Sequence, residues 1–124
     1  MHLFVIGLGG FAGAVTRYAV DGWVSGWTQG RYPWGTFAVN ISGSLLIGLL
    51  FALTVERSLI PASLRGPLLI GFVGSYTTFS TLALESWRLL EDGAWIPAGV
   101  NLVASILVGV AAVIIGLAVG RALA

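Results

Sequence analysis

The chain is poor in charge and in reactive side chains. Of its 124 residues 9% are charged, none is cysteine and one is histidine, His2. The absence of cysteine excludes disulfides and thiolate chemistry, and His2 has no partner with which to form a metal or catalytic site. The six basic residues are all arginine and the net charge is +1, which gives no clustered basic face of the kind that binds nucleic acid. We therefore expect neither a nucleic-acid partner nor an enzyme activity.

Apolar residues dominate the composition instead. Hydrophobic side chains make up 57% of the chain and the mean hydropathy is +0.97, whereas soluble domains carry about 25% charged residues. Four segments are long enough to span a bilayer, since a span needs about 20 residues. They cover residues 3–26, 33–55, 66–90 and 94–120. We predict an all-α integral membrane protein of the cell's inner (plasma) membrane, with residues 1–124 forming one four-helix domain.

The arginines do not fix an orientation in the membrane. Four spans place both termini on one side, and each side then carries three arginines. Arg57, Arg65 and Arg121 would lie on one side, and Arg17, Arg31 and Arg88 on the other. Because the positive-inside rule acts on an excess of arginine and lysine, this balance is consistent with insertion in both orientations, and equally with chance.

Small residues recur at spacings of four in three of the segments. The pairs are Gly9 and Gly13, Ser44 and Gly48, and the triplet Ala112, Gly116 and Gly120. Such spacings let helices approach closely within a membrane, and because four helices enclose little, we expect a homodimer. Residues 7–12 also fit the loose dinucleotide pattern G-x-G-x-x-A, but the strand and the acidic residue that such a site needs are missing.

The few polar side chains within the spans each have two interpretations. Asn40 in the second segment either bonds a neighbouring helix or donates to a species in an aqueous pore. Asn101 and Ser105, four residues apart in the fourth segment, present the same choice. Arg17 and Asp21 are spaced to form an ion pair. The arginine either extends to the membrane surface or forms a positive vestibule that concentrates anions.

Residues 71–85, GFVGSYTTFSTLALE, place five serine and threonine hydroxyls within seven residues of an apolar chain. Because no water is available at membrane depth, these hydroxyls must serve a backbone break, a partner or a permeant species. Gly74 and the β-branched Thr77 and Thr78 predict a local break in the helix. Freed carbonyls can bind a cation there, and the restarted helix favours an anion. Glu85 is a functional candidate because it is an acid within a span.

The polar groups within the spans are mainly the neutral donors asparagine, serine and threonine. Neutral donors along a narrow path suit a small, strongly hydrated anion, because they can replace the water that it loses. The edge of an aromatic ring is electropositive, so Phe79 can contribute to the same path.

Three stretches of the chain resemble the small fluoride channel family, called Fluc or CrcB. They are residues 9–14 followed by Arg17 and Tyr18, residues 35–40 followed by Gly43 and Gly48, and residues 71–81, which carry the most specific match. The resemblance implies an antiparallel, dual-topology homodimer of four-helix subunits with a broken third helix and two pores. It also implies passive fluoride efflux that protects the cell from fluoride.

The resemblance further implies roles for particular residues. A structural sodium ion at the dimer centre would be bound by the backbone carbonyls of Gly74 and Thr77 from both subunits. Asn40 would lie beside the pore, and Phe79 would be the first of two phenylalanines that line the anion path. The other positions implied on that path are Ser80, Thr81, Leu82, Glu85 and Ser105.

Two positions depart from the family's pattern. Leu82 stands where the second pore phenylalanine is expected, and Asn101 stands where many members carry an aromatic residue. These departures favour either a variant channel or a heterodimer with a paralogous subunit.

Two other functions stay open from the sequence alone. A small proton-coupled multidrug exporter also has four helices and dual topology, but it needs a mid-membrane acid in its first helix, where this chain has Asp21 near the end. A non-transporting assembly subunit of a membrane complex would use the same polar residues only to join helices.

Overall fold

The structure is a computed structural model that describes residues 2–28, 30 and 32–123, and these residues form helices and connecting loops with no strand. Arg31, part of the arginine balance above, lies outside them. Four helical runs are apolar and long enough to cross a membrane, and we call them the first to fourth spans. They are His2–Trp27, Trp34–Glu56, Ala62–Glu91 and Trp95–Leu123. The prediction of an all-α chain with four candidate membrane spans is confirmed.

The third span changes its helical geometry along its length. Its pieces are the 3₁₀ turn Ala62–Leu64, the π-helix Gly66–Val73, and the α-helices Gly74–Tyr76 and Phe79–Glu91. Between the last two, Thr77 and Thr78 have extended backbone, with φ and ψ of −82° and 157° and of −148° and 124°. Such angles end an α-helix, so the residues on either side of Thr77 and Thr78 belong to separate helical segments.

The second span is an α-helix over Trp34–Phe51 and a π-helix over Ala52–Glu56. At its end the Glu56 carboxylate accepts two hydrogen bonds from the Arg121 guanidinium, at 2.8 and 2.9 Å. This bidentate ion pair joins the end of the second span to the end of the fourth.

Small residues bring the second and fourth spans into backbone contact. A Cβ atom at Gly48 would overlap the Val113 carbonyl, and one at Gly116 would overlap the Leu45 carbonyl. Close packing at these spacings therefore occurs between helices of the same chain. These glycines carry no information about a dimer, which removes the basis on which the spacing predicted one.

The first and third spans meet in the same way. A Cβ at Gly13 would overlap the Phe72 carbonyl, whereas a Cβ at Gly22 of the same helix would have no atom within 4 Å. The first span thus contains both glycines in backbone contacts, such as Gly13, and glycines in open space, such as Gly22.

All five tryptophans lie at one end of the helices, where each is exposed. They are Trp23, Trp27, Trp34, Trp87 and Trp95, beside the connections at 28–33 and 92–94. A cavity lined by Ser25, Tyr32 and Arg88 brings these ends of the spans together. Because tryptophan is enriched at membrane–water interfaces, we call this the tryptophan end and assign it to one interface.

Gly13 and Gly22, two of the glycines of the first span, give a matched test of this packing. Gly13→Ala should lower the free energy of unfolding by about 1–3 kcal/mol, because the new methyl group would overlap backbone atoms that cannot rotate away. Gly22→Ala should leave stability unchanged or raise it by up to about 1 kcal/mol, because alanine has the higher helix propensity. Unfolding in detergent, followed by circular dichroism, measures both. Equal stability of the two variants would contradict the observed contact.

Candidate functional site

The extended residues Thr77 and Thr78 redirect two backbone amides. In a continuous α-helix each N–H bonds the carbonyl four residues earlier. Here the Thr78 N–H donates to Asn40 Oδ1 at 2.8 Å, and the Thr81 N–H donates to Thr78 Oγ1 at 3.3 Å. The carbonyls of Gly74 and Thr77 therefore lose the donors that a continuous helix would give them.

Side chains from the first and second spans bond two other carbonyls of this segment. Asn40 Nδ2 donates to the Thr78 carbonyl at 2.9 Å, so that one amide both accepts from and donates to Thr78. Arg17 Nε donates to the Ser75 carbonyl at 3.2 Å. An unpaired backbone group in lipid costs several kcal/mol, so both contacts stabilise the extended backbone at membrane depth.

The predicted ion pair between Arg17 and Asp21 is wrong, since no such pair is found in the part of the chain that the structure describes. Asp21 Oδ1 instead accepts a hydrogen bond from Ser25 Oγ at 3.4 Å. The physical reason is that the Ser75 carbonyl offers the guanidinium a partner across the helix interface. The vestibule role of Arg17 stays a prediction.

A groove of about 300 Å³ lies beside the extended residues. It receives side chains from the second, third and fourth spans. Those that bear on function are Asn40, Thr77, Thr78, Phe79, Leu82 and Ser105. The structure thus brings together five of the residues that the sequence singled out as site residues, from three separate helices. The Phe79 ring is 77% exposed at this groove, whereas Leu82 is 6% exposed.

The other predicted site residues do not line this groove. Gly74 and Ser80 are exposed, and Thr81 is half-buried. Thr78 Oγ1 donates to Thr81 Oγ1 at 3.2 Å. Thr78 is therefore the N-cap of the helical segment Phe79–Glu91, and Thr81 is the residue to which its hydroxyl bonds.

A second, polar cavity of about 490 Å³ lies at the tryptophan end. Its lining includes Tyr32, Glu85, Arg88, Leu89 and Asp92. Burial raises the pKa of the Tyr32 phenol, and a phenol is in any case a hydrogen-bond donor at neutral pH. Glu85 Oε1 is buried with no hydrogen-bond partner among the described residues.

A buried hydrogen bond joins the third and fourth spans, and its residue on the third span was not predicted from the sequence. Asn101 Nδ2 donates to Ser86 Oγ at 2.9 Å, and the two residues are 1% and 2% exposed. From the sequence, Asn101 was a candidate for an interhelical or pore contact, whereas Ser86 was not. The available signal was spacing, because Ser86 follows Leu82 by one helical turn and so shares its face.

Four helices of this length and composition define a multi-pass membrane protein, and three of them line the groove. The family model described as "CrcB-like protein, Camphor Resistance (CrcB)" matches residues 4–117. The chain belongs to this family, and the resemblance found in the sequence is confirmed.

Curated relatives match over the whole chain. The "Fluoride-specific ion channel FluC" of Magnetococcus marinus is 42% identical over 121 residues, 98% of each chain. The protein of that name from Geobacter metallireducens is 44% identical over 121 residues, again 98% of each. The one from Syntrophotalea carbinolica is 41% identical over 123 residues, 99% of this chain and all of that one. These relatives carry the name of a channel, not of an enzyme.

The two hydrogen bonds between the Asn40 amide and the Thr78 backbone, which we call the clamp, give a prediction about stability. Asn40→Leu should lower the free energy of unfolding by about 2 kcal/mol or more, because it leaves a backbone N–H and a carbonyl of Thr78 unpaired. Ser44→Ala is the matched control, because Ser44 lines the same groove but donates only to a carbonyl of its own helix, at 2.7 Å. It should change stability by about 0.5 kcal/mol or less. Similar losses for the two variants, measured by unfolding in detergent, would show that the clamp contributes little.

Proposed function

We propose that this chain is a subunit of a fluoride-selective channel that mediates passive fluoride efflux and so confers fluoride resistance. The observation that carries the proposal is the groove at Thr77 and Thr78. Its polar lining consists of neutral groups, with the Asn40 amide and the hydroxyls of Thr77, Thr78 and Ser105, and it contains no acid. The relatives named as fluoride-specific ion channels support the choice of ion.

The groove has the chemistry that a small anion needs on leaving water. Fluoride loses strong hydrogen bonds on dehydration, and hydroxyl and amide donors in a low-dielectric site can replace them. The edge of the Phe79 ring adds a weak positive field at the groove's rim. A carboxylate in this lining would oppose the anion, and the nearest acid along the third span, Glu85, lines the other cavity.

We propose further that two antiparallel subunits form the channel, with the third helix broken at Thr77 and Thr78 as a functional feature. Gly74 is exposed, and its carbonyl has lost its helical donor to Asn40. Non-helical backbone at membrane depth is tolerated only where protein covers it or where it lines a cavity. A second subunit, identical or paralogous, would supply this cover and enclose the open side of the groove beside Phe79.

The tryptophans support the antiparallel arrangement. Aromatic residues normally anchor membrane proteins at both interfaces, yet this chain has all five tryptophans at one end. Two antiparallel subunits place one tryptophan end at each interface. Dual topology then gives the pair the two aromatic belts that one subunit lacks.

The backbone carbonyls of Gly74 and Thr77 fit a structural sodium ion. Both have lost their helical donors, since Asn40 and Thr78 capture the amides that would bond them. Unwound backbone carbonyls are the groups that coordinate Na⁺ in broken membrane helices. When bound, sodium would supply positive charge that compensates these oxygens and joins the two subunits at their extended segments.

Liposome flux tests the proposed function. Purified protein in liposomes should release fluoride and not chloride under an ion gradient, and protein-free liposomes should release neither. Absence of fluoride release from folded protein, both alone and with a paralogous subunit, would overturn the proposal. Cation transport driven by a pH gradient would instead support a small multidrug exporter.

Sodium dependence tests the cation site. Replacing NaCl by KCl at constant ionic strength should lower the unfolding temperature of the purified protein and favour dissociation of the dimer. A saturating ligand at a hundredfold excess over its Kd stabilises by about 2.7 kcal/mol, which a sodium titration of the unfolding temperature can detect. Identical unfolding temperatures in the two salts would contradict a structural sodium.

A further inference from the structure

Ser86 and Asn101 lie on the third and fourth spans between residues of the groove and the tryptophan end. Leu82 and Ser105 line the groove, and Leu89 lines the cavity. Residues one helical turn apart share a face, so Ser86 lies between Leu82 and Leu89 on the third span. Asn101 lies one turn from Ser105 on the fourth span and bonds Ser86 at 2.9 Å. We call Ser86 and Asn101 the polar layer.

The polar layer has unused hydrogen-bonding capacity. Asn101 is 1% exposed and its Oδ1 has no partner among the described residues, and the same holds for Oγ of Ser105, which is 8% exposed. The Asn101 amide also carries two N–H donors, of which Ser86 accepts one. A buried polar group without a partner costs about 1–3 kcal/mol. An asparagine that served only to join two helices would not need this free capacity, which points to an occupant that passes through.

The chemistry of the layer favours an anion as that occupant. The Asn101 amide and the Ser105 hydroxyl can both donate, and their neighbours Leu82, Leu89 and Ala98 are buried and apolar. A low-dielectric surrounding strengthens each hydrogen bond to a charged species. The Ser86 hydroxyl can accept from the amide nitrogen or donate to the amide oxygen, so it can hold the amide in either orientation. In the second orientation both N–H donors are free.

We propose that Asn101, held by Ser86, is an anion-binding and selectivity-determining residue on the route between the groove and the cavity that contains Glu85. This inference rests on the proposed fluoride-channel function. Fluoride that leaves the hydroxyl of Ser105 passes to the amide of Asn101, one helical turn further along the fourth span.

Two substitutions of nearly equal size test the proposal. Asn101→Ser and Asn101→Ala both remove the amide, lose its bond to Ser86 and leave a similar space, but only the serine keeps a donor. Fluoride efflux from liposomes should be about tenfold faster through the serine variant than through the alanine variant, because a hydrogen bond to a charged group contributes about 1.5–3 kcal/mol. Equal rates through the two variants would overturn the proposal.

Two further variants separate permeation from folding. Thr54→Val removes a buried hydroxyl that bonds only the Leu50 carbonyl of its own helix, and it should leave efflux at the wild-type rate. Asn101→Asp keeps the shape of the side chain but replaces the donors by a carboxylate, and it should reduce efflux more than alanine does. Wild-type efflux through Asn101→Asp would overturn the proposal even if the smaller variants fail to fold.

The wild-type chain in the same assay distinguishes failure of the polar layer as a binding site from failure of the channel function. Fluoride efflux through the wild type, with equal rates through Asn101→Ser and Asn101→Ala, rejects the polar layer as a binding site and leaves the channel function intact. Absence of efflux through the folded wild type rejects the channel function and, with it, the inference that depends on it.

Discussion

A polypeptide inside a bilayer has no water to bond its backbone, and every departure from helical geometry must therefore be satisfied by protein or by a bound species. This constraint organises the third span. Thr77 and Thr78 are extended, and several of the groups that they release are bonded by Asn40 from the second span and Arg17 from the first. Asn40 and Arg17 thus bond backbone groups that the third span leaves without helical partners. These contacts place the bonded residues of the three spans at one depth in the membrane.

The same two residues create the site. Because Asn40 and Thr78 capture two amides, the carbonyls of Gly74 and Thr77 lose their helical donors, and under the proposed function such carbonyls bind a cation. On the other side, Asn40 and the threonine hydroxyls face a groove where donors favour an anion. Under the proposed function, one local change in backbone geometry yields both a cation site and an anion site, with little need for formal charge. A chain with 9% charged residues would then bind ions through backbone groups and neutral side chains.

The sequence predicted what is local. Hydropathy gave the four spans, and the run of hydroxyls marked the segment where Thr77, Phe79 and Leu82 meet the groove. Contacts between helices were not predictable, because they depend on which faces meet and at what height. Arg17 was therefore paired with Asp21, its neighbour on the helix, rather than with the Ser75 carbonyl. For the same reason the glycine spacings predicted a dimer although they pack the chain against itself, and Ser86 was missed until its bond to Asn101 was seen.

The positions of Leu82 and Asn101 along the third and fourth spans give the two departures from the family's pattern a common explanation. Leu82 and Asn101 replace expected aromatic residues, and both are buried. Ser86 follows Leu82 by one turn and bonds Asn101 directly, so the two positions lie in adjacent layers. An aromatic ring offers an anion only its weakly positive edge, whereas an amide offers N–H donors. Under the proposed function, the loss of a ring at position 82 and the gain of an amide at position 101 amount to a shift of the anion's partner by one helical turn rather than to a gap in the path.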